Sequence, residues 1–137
     1  MANPKTVKNW FAYAASDLRL AKQSLELSFE FKNASAFLAQ QAAEKAAKGF
    51  LAFHKVRIQK THDLVKLAAE IQPLDASLAK LIRQGKSLTK FAVAYRYPSE
   101  SQRPLTVSMA RTAIKRAQGI YSACFARVYS IDSNGLK

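Results

Sequence analysis

The sequence predicts an all-α protein, an antiparallel bundle of four to five helices. Apolar residues recur three and four positions apart along nearly the whole chain, which is the spacing of one face of an α-helix. No glycine- or proline-rich linker, low-complexity tract or internal repeat divides the 137 residues. We therefore expect one helical domain over residues 1–130 and a frayed tail over residues 131–137.

The first two helices are predicted by the N-terminal part of the chain. Pro4 suits the first turn of a helix, so the first helix is expected from about Pro4 to Leu27. Its apolar stripe consists of Trp10, Ala14, Leu18, Ala21 and Leu25. The second helix is expected from about Asn33 to His54, with an inward face of Ala36, Ala39, Ala43, Ala46, Ala47, Phe50 and Phe53. Small alanine side chains allow a neighbouring helix to approach closely.

Three further helices are predicted in the second half. Thr61 offers an N-cap hydroxyl for a short third helix ending near Ile71, and the Asp63 carboxylate favours a helix start. The fourth helix carries Leu78, Leu81, Gly85, Leu88, Ala92 and Tyr95, and Gly85 predicts a bend or a close contact there. The last helix, from about Thr106 to Tyr129, has a stripe of Val107, Ala110, Ile114, Ala117, Tyr121, Cys124 and Val128.

Charge is the unusual feature of the composition. The chain has 22 Lys and Arg against 9 Asp and Glu, a formal net charge of +13 and a pI near 10.1. From Ala76 to Ile131 the sequence has ten Lys or Arg and a single acid, Glu100. This excess predicts an anionic partner, while basic composition for solubility alone is the alternative explanation.

Several classes of protein are disfavoured by the sequence. No window has the roughly 18 uninterrupted apolar residues of a membrane span, and the N-terminus lacks the apolar core of a secretory signal. We therefore expect a soluble, cytoplasmic protein without membrane association. Cys124 is the single cysteine, which excludes an internal disulfide, and one thiol with two histidines does not form a thiolate-rich zinc site. No metal or cofactor is expected.

The second helix has a polar stripe of Gln41, Glu44, Lys45 and Lys48 opposite its alanines. One interpretation is a solvated face with an ion pair between Glu44 and Lys48, four residues apart. The other is a surface whose amides, carboxylate and ammonium groups bind a phosphorylated or dimeric partner. The sequence leaves both interpretations open.

The segment KTHDL places Lys60, Thr61, His62 and Asp63 at a predicted helix N-terminus. Free backbone N–H groups and the helix dipole favour an anion at such an end, although a simple helix cap has the same composition. His54, at the end of the second helix, is explained by the favourable position of a cation near a helix C-terminus.

The segment YRYP, residues 95–98, ends the predicted fourth helix. Pro98 restricts the residue before it, so Arg96 lies in the last turn, where it complements the helix dipole. Arg96 between Tyr95 and Tyr97 also has the composition of a phosphate site, because a guanidinium binds phosphate through two N–H groups and a phenol ring stacks on a base.

Three motifs in the same chain resemble the HEPN domain, the higher-eukaryote and prokaryote nucleotide-binding family. They are W-F-x-x-A-x-x-D-L-x-x-A from Trp10, A-F-x-x-Q-Q-A-A-E-K-A-x-K from Ala36, and T-H-D-L followed by R-Y-P. The resemblance implies an up-and-down helical bundle, usually a homodimer, often encoded beside a small nucleotidyltransferase in a toxin–antitoxin type pair. Some members cleave RNA without a metal.

The chain departs from the ribonuclease members of that family. They carry an arginine at the end of the penultimate helix, which Arg96 matches, and a histidine at the start of the final helix, with four to six residues between the two. Ser101, Gln102 and Arg103 stand at those positions. Arg57 and His62 have the right spacing but flank the third helix, so we interpret that pair as a coincidence. Without the imidazole, no general base is evident.

The sequence therefore predicts a non-enzymatic protein that binds nucleotide or RNA phosphate, the binding subunit beside a nucleotidyltransferase. Arg96 holds the phosphate, Tyr95 or Tyr97 stacks or donates a hydrogen bond, and His62 lies nearby. Surface charge is expected from Lys45, Lys48 and Lys60. A metal-independent ribonuclease that uses Arg96 and His62 is the first alternative, and a protein that only docks a nucleotidyltransferase is the second.

Overall fold

Five α-helices and two 3₁₀ helices account for most of residues 2–92, 95, 98 and 104–129, the part of the chain that the computed structural model describes. These residues contain no β-strand, so the all-α prediction is confirmed. The α-helices are α1 (Pro4–Leu27), α2 (Lys32–Phe53), α3 (Leu64–Ile71), α4 (Ala76–Gln84) and α5 (Val107–Tyr129). The first 3₁₀ helix is Phe29–Phe31 and the second is Lys86–Ala92. The predicted tail, residues 131–137, lies outside the described residues.

The first helix begins and ends where the sequence predicts. Asn3 is the N-cap, because its side-chain oxygen accepts from the N–H of Lys5 at 3.0 Å, and Pro4 occupies the first turn. The buried stripe is Val7, Phe11, Ala14, Leu18, Ala21 and Leu25. Trp10 was expected in this stripe but is only half-buried, and Phe11 points into the core instead.

Helices α1 and α2 pack antiparallel, and so do α4 and α5. The Ser35 hydroxyl of α2 donates to the Ala21 carbonyl of α1 at 2.6 Å, and Lys45 of α2 lies 2.6 Å from Asp17 of α1. The residue numbers therefore rise along α2 as they fall along α1. Arg127 of α5 likewise pairs with Asp75 at the start of α4, and Arg116 donates to the carbonyl of Gln84 at its end. Within each pair, the two helices therefore run in opposite directions.

Helix α2 is the central helix and is buried on most of its circumference. The five predicted alanines and Phe50 are in the core, whereas Phe53, which was expected there, is 40% exposed. Four polar residues of α2 are also buried, namely Ser35, Gln40, Glu44 and Lys48. Packing against both α1 and α5 leaves α2 with little free surface.

Gly85 divides the predicted fourth helix into two elements. Helix α4 ends at Gln84, Gly85 forms its C-cap, and the chain continues as the second 3₁₀ helix. A Cβ atom at residue 85 would lie 2.8 Å from Cδ1 of Ile120, closer than real Cβ contacts. The close contact predicted at Gly85 is confirmed, but a continuous helix from Leu78 to Tyr95 was wrong, because α4 ends at Gln84 and a 3₁₀ helix follows.

Helix α5 begins at Val107, one residue after the predicted start. Its buried stripe is Ala110, Ala113, Ala117, Ile120, Cys124 and Val128. Val107, Ile114 and Tyr121, which were expected to point inward, are half-buried at the edge of the core. None of the described helices is both long and apolar enough to cross a bilayer.

Candidate functional site

Four polar side chains meet beside the middle of α2, and we call them the Glu44 cluster: Gln40, Glu44, Lys48 and His62. The Glu44 carboxylate accepts from Lys48 Nζ at 2.8 Å and lies 2.7 Å from His62 Nδ1. Gln40 Nε2 donates to the same carboxylate at 3.1 Å and to the carbonyl oxygen of His62 at 3.3 Å. The cluster thus joins α2 to the loop before α3.

The Glu44 cluster is buried at its base and open at one end. Glu44 is 3% exposed and Lys48 is 6% exposed, so the interpretation of this stripe as a solvated face was wrong. The ion pair predicted between them is present, but it lies inside the protein. Lys48 Nζ also lies 5.8 Å from the centre of the Trp10 ring, a cation–π distance, which explains the half-buried position of Trp10.

Glu44 stays ionised because its neighbours compensate for its burial. Burial alone raises the pKa of a carboxyl group, but the hydrogen bonds from Lys48, His62 and Gln40 and the charge of Lys48 outweigh that effect. The pKa of Glu44 is therefore lowered from its ordinary value of 4.5. At neutral pH the imidazole of His62 therefore lies beside a negative charge.

His62 presents its ring to solvent in a fixed orientation. Its side chain is 64% exposed, although its Nδ1 is bound to a buried carboxylate. Because ionised Glu44 can only accept, Nδ1 carries the hydrogen and donates it. Among the described residues no hydrogen-bond partner for Nε2 is found. That nitrogen can accept a proton or, in the protonated ring, donate to an anion.

The loop before α3 differs from the prediction in its cap. Asp63 is the N-cap, since its Oδ1 accepts from the N–H of Val65 at 2.9 Å. Thr61, the predicted N-cap, instead accepts from the N–H of Asp63 at 3.1 Å and forms the turn that precedes the helix. His62 consequently lies before α3 rather than in its first turn. The Leu64 N–H donates to the Thr89 hydroxyl at 3.2 Å, which ties this loop to the second 3₁₀ helix.

The structure also locates three other residues that were predicted to bind. Lys45 pairs with Asp17, Lys60 is exposed in the loop before His62, and the half-buried Tyr95 packs its ring 5.5 Å from that of Phe91. The Tyr95 carbonyl accepts from Asn33 Nδ2 at 3.1 Å, in the first turn of α2. Gln40 is two turns further along that helix, a rise of about 10 Å.

The predicted YRYP site lies only partly in the described residues. Arg96 and Tyr97 are outside them, while Tyr95 is half-buried and Pro98, at the predicted helix stop, is exposed. The structure therefore joins His62 to Lys48 through Glu44 and fixes Tyr95 at the first turn of α2. The ring of the other histidine, His54, lies 4.6 Å from that of Phe50 at an angle of 49°, and 5.1 Å from that of Phe53.

Two members of the site were not among the residues predicted to bind, Gln40 and the anchoring carboxylate Glu44. Gln40, Glu44 and Lys48 are spaced four residues apart, which places polar groups on one line of a helix. That spacing was available as a signal, but burial was needed to show that the line points inward. No group of three or more His, Cys, Asp or Glu able to hold a metal occurs among the described residues.

Comparisons with known proteins agree with this architecture. The family model "HEPN domain" matches residues 7–128. TT1696 from Thermus thermophilus is a similar solved structure, with 26% sequence identity and a TM-score of 0.72 over 88% of this chain and 97% of that one. ST0689, described as an archaeal HEPN homologue, has a TM-score of 0.67 and 24% identity over 89% of this chain and 97% of that one.

The similarity to ST0689, at 24% identity, is evidence for a shared fold only. No curated protein sequence compared with the chain matches it. The family match nevertheless spans the bundle from the first buried residue of α1 to the last of α5, and includes the three sequence motifs and the Glu44 cluster. The chain belongs to the HEPN domain family.

Proposed function

We propose that this protein binds the phosphate of a nucleotide or RNA at a surface formed by His62, Lys60 and Arg96. The observation that carries the proposal is the exposed imidazole of His62 held by the buried Glu44. The His62 ring is already held at Nδ1, and its Nε2 faces solvent. It therefore loses little conformational freedom when a ligand binds, which favours affinity. The net charge of +13 attracts anions to such a surface.

Arg96 enters the proposal through the sequence and through the position of its neighbours. The loop that carries His62 is bonded to Thr89, and the same 3₁₀ helix leads the chain toward Arg96. Tyr95, the residue before Arg96 in the sequence, is anchored on Asn33 at the start of α2. A guanidinium there would hold phosphate oxygens through two N–H groups, with Tyr95 or Tyr97 supplying an aromatic face for a base.

The predicted lysines contribute unequally to this surface. Lys60 is exposed with its ammonium in solvent, and Lys45 is partly neutralised by Asp17. Lys48 is buried and bound to Glu44, so we assign it to holding the carboxylate in place rather than to attracting a ligand. The proposed contacts to phosphate are therefore His62, Lys60 and Arg96.

Calorimetric titration with adenosine monophosphate, at low and at moderate salt, tests the proposal. Replacing Arg96 or His62 by Ala removes a hydrogen bond to a charged group, worth about 1.5–3 kcal/mol, and should weaken binding by about 10- to 100-fold. His54→Ala is the matched control, because His54 is also exposed but its ring packs against Phe50 and not against Glu44. If the wild type gives no heat at either salt concentration, the proposal is wrong.

A second function is favoured by the contact between Glu44 and His62. A carboxylate bound to Nδ1 fixes the tautomer that leaves Nε2 able to accept a proton, as a general base requires. In a metal-independent ribonuclease, Nε2 would take the proton of a ribose 2′-hydroxyl. The 2′-oxygen would attack the adjacent phosphorus and the bond to the 5′-oxygen would break. The 5′-oxygen would take a proton from the imidazolium or from water, so that a cyclic phosphate and a free 5′-hydroxyl form. Arg96 would stabilise the negative charge on the phosphoryl oxygens.

Incubation of a generic RNA with the protein in excess chelator distinguishes the two functions. The binding function predicts intact RNA, which the absence of histidine at Ser101, Gln102 and Arg103 supports. Cleavage that is lost in Arg96→Ala and His62→Ala, yet kept in His54→Ala, would establish the enzyme. Cleavage that survives both site substitutions would come from a contaminating nuclease.

The family resemblance also supports three further proposals. The protein has a small nucleotidyltransferase as its partner, it forms a homodimer, and it is located in the cytoplasm. The neighbouring open reading frame is the most informative observation, since a nucleotidyltransferase gene there supports a two-component system. Co-purification of the two chains, and light scattering of this chain alone, test the partner and the dimer separately. Binding to the partner with no response to nucleotide would favour the purely protein-docking function.

A further inference from the structure

A groove runs between α5 and the segment formed by α4 and the second 3₁₀ helix. It consists of two cavities of about 430 Å³ and 160 Å³. Thr112 and Arg116 line both cavities, so the two lie side by side along α5, and together we call them the α4–α5 groove. Its polar and open wall positions include Gly85, Lys90, Thr112, Lys115, Arg116 and Gly119.

The charge of the α4–α5 groove is positive and is not compensated by the described residues. Lys90, Lys115 and Arg116 line it, and no carboxylate does. None of these three cations belongs to an ion pair in the described part of the chain, where the paired acids are Asp17, Glu44 and Asp75. From Ala76 to Tyr129 the sequence has one acid, Glu100, which lies outside the described residues. The groove is therefore suited to a polyanion.

The walls of the groove provide donors and space for a backbone of phosphates. Arg116 Nη1 donates to the carbonyl of Gln84 at 2.9 Å, which orients the guanidinium and leaves its other N–H groups available. Hydroxyl groups of Ser87, Ser108 and Thr112 lie along the same groove. A Cβ atom at Gly119 would meet no atom within 4 Å, so this end of the groove is open.

The length of the groove selects an oligonucleotide over a mononucleotide. Ser108 and Gly119 mark its two ends on α5, and eleven residues of helix rise about 16 Å. A stacked strand advances about 3.4 Å per nucleotide, so roughly four or five nucleotides fit along it.

We propose that the α4–α5 groove binds the sugar–phosphate backbone of single-stranded RNA, through Lys90, Lys115 and Arg116, and that the ligand of this protein is an RNA chain. The inference rests on the proposed phosphate-binding function for the identity of the ligand as nucleic acid. The groove itself adds length and affinity, whereas the surface at His62 and Arg96 holds one phosphate.

Fluorescence anisotropy with a labelled ten-nucleotide oligouridylate, measured at several salt concentrations, tests the groove. Lys115→Gln with Arg116→Gln should weaken binding about tenfold or more. It should also reduce the slope of log K against log salt by about 1.4, because each lost phosphate contact removes about 0.7. Lys5→Gln with Arg19→Gln is the matched control, since it removes the same two charges from exposed positions on α1. This control should keep most of the affinity and the salt slope.

Arg116 also bonds to the Gln84 carbonyl, so its replacement could weaken binding by disturbing the fold. A second substitution that leaves this bond intact tests the groove independently. Gly119→Glu puts a carboxylate into the groove where a side chain has room, and should weaken RNA binding about tenfold, while Gly119→Gln should be much milder. Equal losses in the groove variants and the α1 control would overturn the proposal, as would no loss in either. Adenosine monophosphate binding separates the two sites: it should survive the groove variants and fail in Arg96→Ala.

Discussion

Helices α2 and α5 are of similar length and both carry lysine, yet they use charge in opposite ways. On α2, Glu44 and Lys48 neutralise each other inside the protein. On α5, Lys115 and Arg116 face a groove and have no carboxylate partner among the described residues. The glycines of the two helices differ in the same way. The Phe11 ring occupies the space beside Gly49 of α2, whereas the space beside Gly119 of α5 is empty.

The difference follows from the number of neighbours each helix has. Helix α2 contacts α1 on one side and α5 on another, so a charge on it must be compensated within the fold. Helix α5 buries one stripe and leaves Lys115 and Arg116 exposed. Charges on α2 thus hold the conformation of His62, while Lys115 and Arg116 of α5 remain available to a ligand.

The largest effect is expected from Glu44→Ala. This change leaves the Lys48 ammonium buried without its partner, which costs about 3–5 kcal/mol of the free energy of unfolding. Urea denaturation measures the loss. Asp17→Ala is the control on α1, because its pair with Lys45 is only partly buried and should contribute about 1 kcal/mol or less.

A double substitution sharpens this result. Glu44→Leu with Lys48→Met removes both charges and should recover most of the lost stability, since well-packed apolar residues often replace a buried ion pair at no cost. Its His62 ring would then lose its anchor, and nucleotide binding should weaken although folding is intact. A stable double variant with unchanged nucleotide affinity would contradict the role given to the Glu44 cluster.

The next effect in size is expected from Gly49→Ala. A Cβ atom there would lie 2.8 Å from a ring carbon of Phe11, and a buried aromatic ring edge-on to Tyr121, Phe125 and Tyr129 cannot move aside freely. Overpacking of this kind costs about 1–3 kcal/mol, so the denaturation midpoint should fall. An unchanged midpoint would mean that α1 and α2 separate more easily than the central position of α2 implies.

Acid should reduce the stability supplied by Glu44. Its pKa is lowered in the folded protein, so the ionised form favours folding. That contribution is present above the ordinary pKa of 4.5 and is lost as the pH falls through the lower folded value. The difference in unfolding free energy between the wild type and Glu44→Gln should therefore be widest at pH 7 and narrow below pH 4.5. A difference that does not vary with pH would show that Glu44 is not the linked group.

The sequence predicted α1 closely because its determinants are local. Asn3, Pro4 and a stripe with helical spacing specify where the helix starts and which side is buried. The fourth helix was predicted too long because its apolar spacing continues past Gly85, where the helix ends and where Ile120, 35 residues away, lies close. Periodicity cannot report a contact between distant elements.

The candidate site shows the same limit. The residues KTHDL and the polar line of α2 were visible as separate features, but the bond between His62 and Glu44 joins residues 18 apart across a loop. Whether a polar line faces water depends on which helices cover it, and α2 is covered on two sides. The excess of Lys and Arg in the C-terminal half indicated a basic surface. The groove itself was not predicted, because its walls come from α5 and from the segment around Gly85.

The smallest effect is expected from Gly119→Ala, and its sign is opposite to that of Gly49→Ala. Alanine restricts the unfolded chain and suits a helix interior better than glycine, by about 0.5–1 kcal/mol. The added methyl meets no atom within 4 Å, so nothing offsets this gain, and the midpoint should rise. A methyl group also leaves the groove open, and oligouridylate affinity should be unchanged. A fall in stability would place Gly119 against a neighbour and contradict the open wall on which the RNA groove depends.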